Sequence, residues 1–186
     1  MNIEYRALVG ALVFLGVAQF ILVIAVTEAQ YPGYSVSTNA LSDLGVGQTA
    51  LLFNASVVVL GICVAAGALV GQPILGTDLT FTLALAGACA VGVGLLAETT
   101  GTPHTIFAIA TFIFGAVSAI ISYRLLRPPL SYLSVGLGII ALVALVLTVT
   151  HHELGLGPGG IEGVIAYPLF IWGLGFGGSL IGANSR

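Results

Sequence analysis

The sequence predicts an all-α, polytopic membrane protein: a single bundle of six transmembrane helices over residues 1–186, with both termini cytoplasmic. Three observations predict it. The chain has 58% hydrophobic residues against four basic and seven acidic ones, and its mean hydropathy of +1.15 is far from that of a water-soluble domain. Apolar stretches of roughly 20 residues recur six times, each long enough to cross about 30 Å of hydrocarbon as a helix. With six crossings, every basic side chain falls on one side. A transmembrane barrel would instead show shorter segments alternating apolar and polar, and these stretches are apolar all round.

Span one is expected from Ala7 to Thr27. Its apolar run exceeds a signal-peptide core and no clear cleavage site follows it, so it is expected to stay in the mature protein. The connection from Glu28 to Thr49 contains "STNALSDLG", in which Leu41 and Leu44 flank the polar pair Ser42 and Asp43. Such a segment is apolar enough to fold back over the helix ends, with a short helix ending near Gly45 or Gly47. Span two follows from Ala50 to Val70, with Asn54 one turn inside it and expected to bond across helices. Span three, Leu79 to Ala97, carries Ala84, Ala88 and Gly92 at intervals of four, which predicts a face packed backbone to backbone. Cys63 and Cys89 fall inside spans two and three and read as small buried residues.

Span four runs from Thr105 to Tyr123, entered through Thr102 as N-cap and Pro103 in the first turn. Span five is Ser131 to Thr150, and span six Ile161 to Ala183. Span six carries the close-packing pairs Gly173 with Gly177 and Gly175 with Ser179. Pro168 deprives the Val164 carbonyl of its helical donor, which predicts a kink.

Six crossings put Arg6, Arg124, Arg127 and Arg186 on one side, expected to be cytoplasmic. Glu28, Asp43, Glu98, Glu153 and Glu162 fall on the other, with His104, His151 and His152. The absence of lysine excludes a retinal Schiff base and other lysine-imine chemistry. Haem held by two histidines across the membrane is not expected, because all three histidines sit at one end.

Imidazoles beside carboxylates suit a divalent metal such as zinc, for which His104, His151 and His152 are the candidate ligands. His152 and Glu153 lack the second histidine of a zincin helix. In a catalytic pocket His104 would be base or ligand, Glu98 its orienting partner, and Asp43 a third catalytic group. Structural readings stand beside these. Glu162 suits a helix N-terminus, Glu98 can hold its turn by pairing with His104, and Asp43 with Ser42 can tie the loop.

"NALSDLG", "ETTGTPH" and "GGIEGVIAYPLFIWGLGFG" together resemble the six-span membrane proteins of the domain of unknown function 998 family, common in archaea. The resemblance implies a six-helix fold and matches Asn39, Ser42, Asp43, Glu98, His104, Glu162, Tyr167, Pro168 and Trp172 to recurring family positions. Where the family usually has Glu-Arg, this chain has Glu162-Gly163, so a role needing an arginine ion pair there is in doubt. More distantly, the Ser-Asp-Gly loop is similar to one in eukaryotic six-span proteins linked to lipid-anchor remodelling. Asn39, Ser42, Asn54, Glu162, Tyr167 and Trp172 are the expected binding residues. The expected function is an outward-facing His/acid pocket that binds or modifies a lipid headgroup or binds a divalent ion. A small transporter or channel, or an assembly protein without catalysis, are the alternatives. Membrane lipids are the expected partners and nucleic acid is not.

Overall fold

The structure, a computed structural model, describes residues 3–182, so Arg186 and the expected end of span six at Ala183 lie outside the described residues. The helices are α1 (Ile3–Gln30), α2 (Ala50–Val70), the single turn α3 (Gln72–Leu75), α4 (Thr77–Leu95), α5 (Thr102–Ile121), α6 (Leu130–Val149) and α7 (Gly157–Gly182). All but α3 are long and apolar enough to cross a membrane, and there is no strand among the described residues. In lipid the backbone must satisfy its own hydrogen bonds, which a helix does within one segment. Side chains such as Leu22 and Leu51, 68% and 84% exposed, then cover the outside with hydrocarbon.

Successive long helices pack side by side, and α1 closes the ring against α7. Glycines set the closest approaches. A Cβ on Gly61 of α2 would stand 2.5 Å from the Gly87 carbonyl oxygen of α4, and one on Gly10 of α1 would stand 2.5 Å from that of Gly177 on α7. The expected Gly173 and Gly177 face is therefore real, with Gly173 against Val17. The face of α4 differs from expectation: Ala88 is exposed, and the buried stripe is Leu83, Gly87, Ala90 and Gly94. Steps of strictly four residues drift around a helix, whereas alternating four and three keep one seam on a neighbour.

Polar side chains stitch the ring from inside. Gln19 Nε2 donates to the Ser56 carbonyl at 3.0 Å, and Ser56 Oγ donates back to Gln19 Oε1 at 2.8 Å. This joins α1 to α2, the role expected of Asn54. Asn54 Nδ2 donates instead to the Gly45 carbonyl at 2.9 Å, because its position one turn into α2 faces the folded-back connection. Thr102 also differs from expectation. It is the first residue of α5, the capping position falls on Gly101 at φ +70°, and no side chain caps this end. Pro103 lies in the first turn as expected. Pro168 is buried within an uninterrupted α7.

The two ends of the bundle differ in charge. His104 sits in the first turn of α5, and Arg124 closes the 3₁₀ turn Ser122–Arg124 at its far end. A helix of this length separates them by about 30 Å. At the arginine end Arg124 Nη2 meets Asp78 Oδ2 at 2.5 Å, and Trp172 Nε1 donates to the buried Ser122 Oγ at 2.9 Å.

Candidate functional site

The acid end is closed by the connection between α1 and α2, which lies over the helix ends as the leucines predict. Leu41 and Leu44, 7% and 0% exposed, pack with Phe20, Ile24, Phe53 and Ala166. They carry the 3₁₀ turn Leu41–Gly45 inward and bring Ser42 and Asp43 with it. Glycines at the start of α7 let the earlier part of this lid approach. Gly159 N–H donates to the Ser37 carbonyl at 3.2 Å, and a Cβ on Gly159 would collide with the carbonyl oxygens of Asn39 and Val36.

Asp43 organises the lid. Its Oδ2 accepts from Asn39 Nδ2 at 2.9 Å and from the Ala40 N–H at 3.1 Å, while Asn39 Oδ1 accepts from the Ser35 N–H at 3.1 Å. Leu41 N–H donates to Glu162 Oε2 at 3.0 Å, and Thr49 Oγ1 donates to the Leu44 carbonyl at 2.7 Å. Side chains thus satisfy those of the lid's backbone groups that its own turns and the Gly159 N–H do not, as a non-helical segment against apolar helix ends requires.

Glu98 enters from the turn between α4 and α5. Burial, followed by a hydrogen bond and charge repulsion from Asp43, pushes its carboxyl up to about 7, against a smaller pull from Ser42. A carboxyl beside a carboxylate keeps its proton because both cannot comfortably ionise. Glu162, half-buried in the first turns of α7, feels the charges of Glu98 and Asp43. Three carboxyl groups from three segments therefore converge. Tyr34 lies beside them, its phenol raised by burial and then by Glu28, Tyr167, Glu162 and Asp43.

His104 is 8% exposed. Its Nδ1 donates to the Leu96 carbonyl at 2.7 Å, so in the neutral ring Nε2 carries the lone pair. Glu98 does not orient this imidazole. The end of α4 does, because Leu96 lies just past its last helical residue with a carbonyl that has no helical donor. Below the cluster is a cavity of about 90 Å³, with Ser42, His104 and Glu162 at one end and Phe53, Phe112 and Phe170 along its walls. A second cavity of about 90 Å³ shares Leu60, Ala90, Thr111, Phe112 and Phe170 with the first and continues to Trp172.

Asn39, Ser42, Asp43, Glu98, His104 and Glu162 are thus gathered at one end, and Asn54 braces the lid. Tyr167 does not line the cavity; it is 37% exposed on α7, near Tyr34, with its ring edge-on to Phe170. Trp172 is directed to the arginine end by its bond to Ser122. His151 and His152 are exposed beyond α6, where His152 Nδ1 bonds the Thr150 carbonyl at 2.8 Å. The three histidines form no metal group: among the described residues no three His, Cys, Asp or Glu side chains are placed to hold an ion. The reason is that His104 is turned inward at the start of α5 while the other two sit in an exposed turn. Sequence reasoning missed Gln19, a lone amide in an apolar run, and Tyr34, one of several tyrosines with nothing local to mark it.

Six apolar crossings closed over a polar end define a multi-pass, all-helical integral membrane protein in a lipid environment. Residues 14–178 match the family described as Protein of unknown function (DUF998), and the chain belongs to that family. No curated protein and no solved structure matches it.

Proposed function

We propose that the protein binds an amphiphile at the acid end of the bundle. The polar head meets Ser42, His104 and Glu162, and the hydrocarbon enters the cavity between the helices. One observation carries this reading: a single cavity has two ionisable side chains and a hydroxyl at one end and aromatic and aliphatic walls along the rest. The second cavity extends the apolar space, and its lining is hydrocarbon apart from Thr111, Trp172 and backbone. That lining favours a lipid tail over a path for ions, which would need polar groups along its length. With the arginines on the cytoplasmic side, as the charge bias favours, the site opens toward the opposite leaflet and both termini are cytoplasmic. If the bound lipid is also modified, His104 Nε2 is the group placed to take a proton from it.

The test is extraction and mass analysis of amphiphiles retained by purified protein, with Ala108→Phe to fill the cavity from a half-buried lining position. The wild type should retain a defined amphiphile and a folded Ala108→Phe protein should lose it. Equal retention by both, or none by the wild type, overturns the reading.

A further inference from the structure

We propose that the head accepted at this site is cationic: a single-chain amphiphile whose ammonium head donates hydrogen bonds to Glu162 Oε1 and His104 Nε2. This rests on the amphiphile-binding reading above and names its ligand class. The first observation is the imbalance of charge. Arg6, Arg124 and Arg127 are all at the other end of the bundle, the chain has no lysine, and Arg124 is already engaged by Asp78. The described acid end therefore holds no arginine or lysine counter-ion for its carboxyl groups. Glu28 Oε1 adds a further acceptor there, buried without a hydrogen-bond partner.

The second observation concerns hydrogen-bonding capacity at the cavity itself. His104 is more than nine-tenths buried and lines the cavity, its Nδ1 proton is committed to Leu96, and Nε2 has no protein partner. Glu162 also lines the cavity, with Oε2 occupied by the Leu41 N–H and Oε1 without a protein donor. Ser42 lines the same end of the cavity with a hydroxyl, which can donate as well as accept. The rim thus offers two unpaired acceptors, His104 Nε2 and Glu162 Oε1, against one hydroxyl donor, and no cationic side chain beside them. A phosphate or carboxylate head brings only acceptors and negative charge, so it would leave both sides unpaired. An ammonium brings donors and the opposite charge.

The experiment compares three probes of one chain length, dodecylammonium, dodecyl phosphate and dodecanol, binding to the full chain in zwitterionic nanodiscs at low salt, counted by native mass spectrometry. Dodecylammonium should bind at least about tenfold more tightly than dodecyl phosphate, a modest factor for a half-buried charge pair. Glu162→Gln, which keeps an acceptor for Leu41 and removes the second carboxylate oxygen, should reduce that preference. Equal or tighter binding of the phosphate, or a preference that survives in Glu162→Gln, overturns the cationic head and leaves amphiphile binding standing. Failure of all three probes to compete with Ala108→Phe as a non-binding reference overturns both.

Discussion

Leu41 and Glu162, 121 positions apart in sequence, are joined by a hydrogen bond of 3.0 Å from the Leu41 amide to Glu162 Oε2. It fastens the lid over α2 to the first turns of α7, and so holds the acid cluster and the cavity beneath it in register. Glu162→Ala should strand the buried Leu41 N–H and lower stability by about 1–3 kcal/mol. Glu162→Gln retains an acceptor and should lose less than half of that. Thermal unfolding of the two variants in one detergent measures the difference.

Glu98 sets a pH dependence with a definite sign. Its carboxyl is raised to about 7 in the folded chain, above its ordinary value, so the fold holds a proton that the unfolded chain releases. The contribution is fully present below the ordinary carboxyl range and is lost as pH rises through about 7. The unfolding temperature should therefore fall between about pH 5 and pH 8, and Glu98→Gln should flatten that slope. An unchanged slope in the variant would remove Glu98 as its source.

The contact of α2 with α4 depends on the absence of side chains at Gly61 and Gly87. A Cβ on Gly87 would lie 2.5 Å from the Ala65 nitrogen and 2.6 Å from the Gly61 carbonyl oxygen, both backbone atoms that cannot turn aside. Gly87→Val should separate the helices and cost about 2 kcal/mol or more. Gly136→Ala is the control, since nothing lies within 4 Å of its added carbon. It should be neutral or slightly stabilising, by up to about 1 kcal/mol. Denaturation in mixed micelles compares the two.

Gln19→Leu removes both bonds between α1 and Ser56. Interhelical hydrogen bonds in lipid are modest, so the expected loss is about 0.5–2 kcal/mol. Ser56→Ala in the same background should cost little more, because the pair acts as one unit. Additive losses in the double-mutant cycle would show that the two side chains are energetically independent.

The lid requires glycine at the start of α7. Gly159→Ala places a methyl group against the Asn39 and Val36 carbonyl oxygens and should lift the lid, exposing the Asp43 and Glu98 carboxyls to water. Faster hydrogen exchange confined to residues 35–45 is the expected readout.

Much of this architecture was legible in the chain before any coordinates. A segment of about 20 apolar residues has one stable form in hydrocarbon, so the six helices and their order follow from composition alone. The expected bounds of α2 agree with the observed helix; the others begin up to a few residues earlier than expected, and α4, α5 and α6 end one or two residues sooner. Leu41 and Leu44 around a polar pair foretold a folded-back lid, because buried leucines pull their neighbours with them.

The site was legible as a set of residues and not as a set of partners. Asp43, Glu98, His104 and Glu162 were marked by being polar in so apolar a chain. That Glu98 turns to Asp43 and Ser42, that the Leu96 carbonyl orients His104, and that His151 and His152 stay outside are consequences of packing. Local spacing carries no information on which helix end meets which. The sequence by itself determined the solvent the protein lives in and the number of times it crosses it, since those depend on the summed transfer energy of each segment. Only the tertiary structure decided which carboxyls lie near one another and where the cavity lies, since those depend on contacts between residues far apart in the chain, set by where glycines let backbones meet.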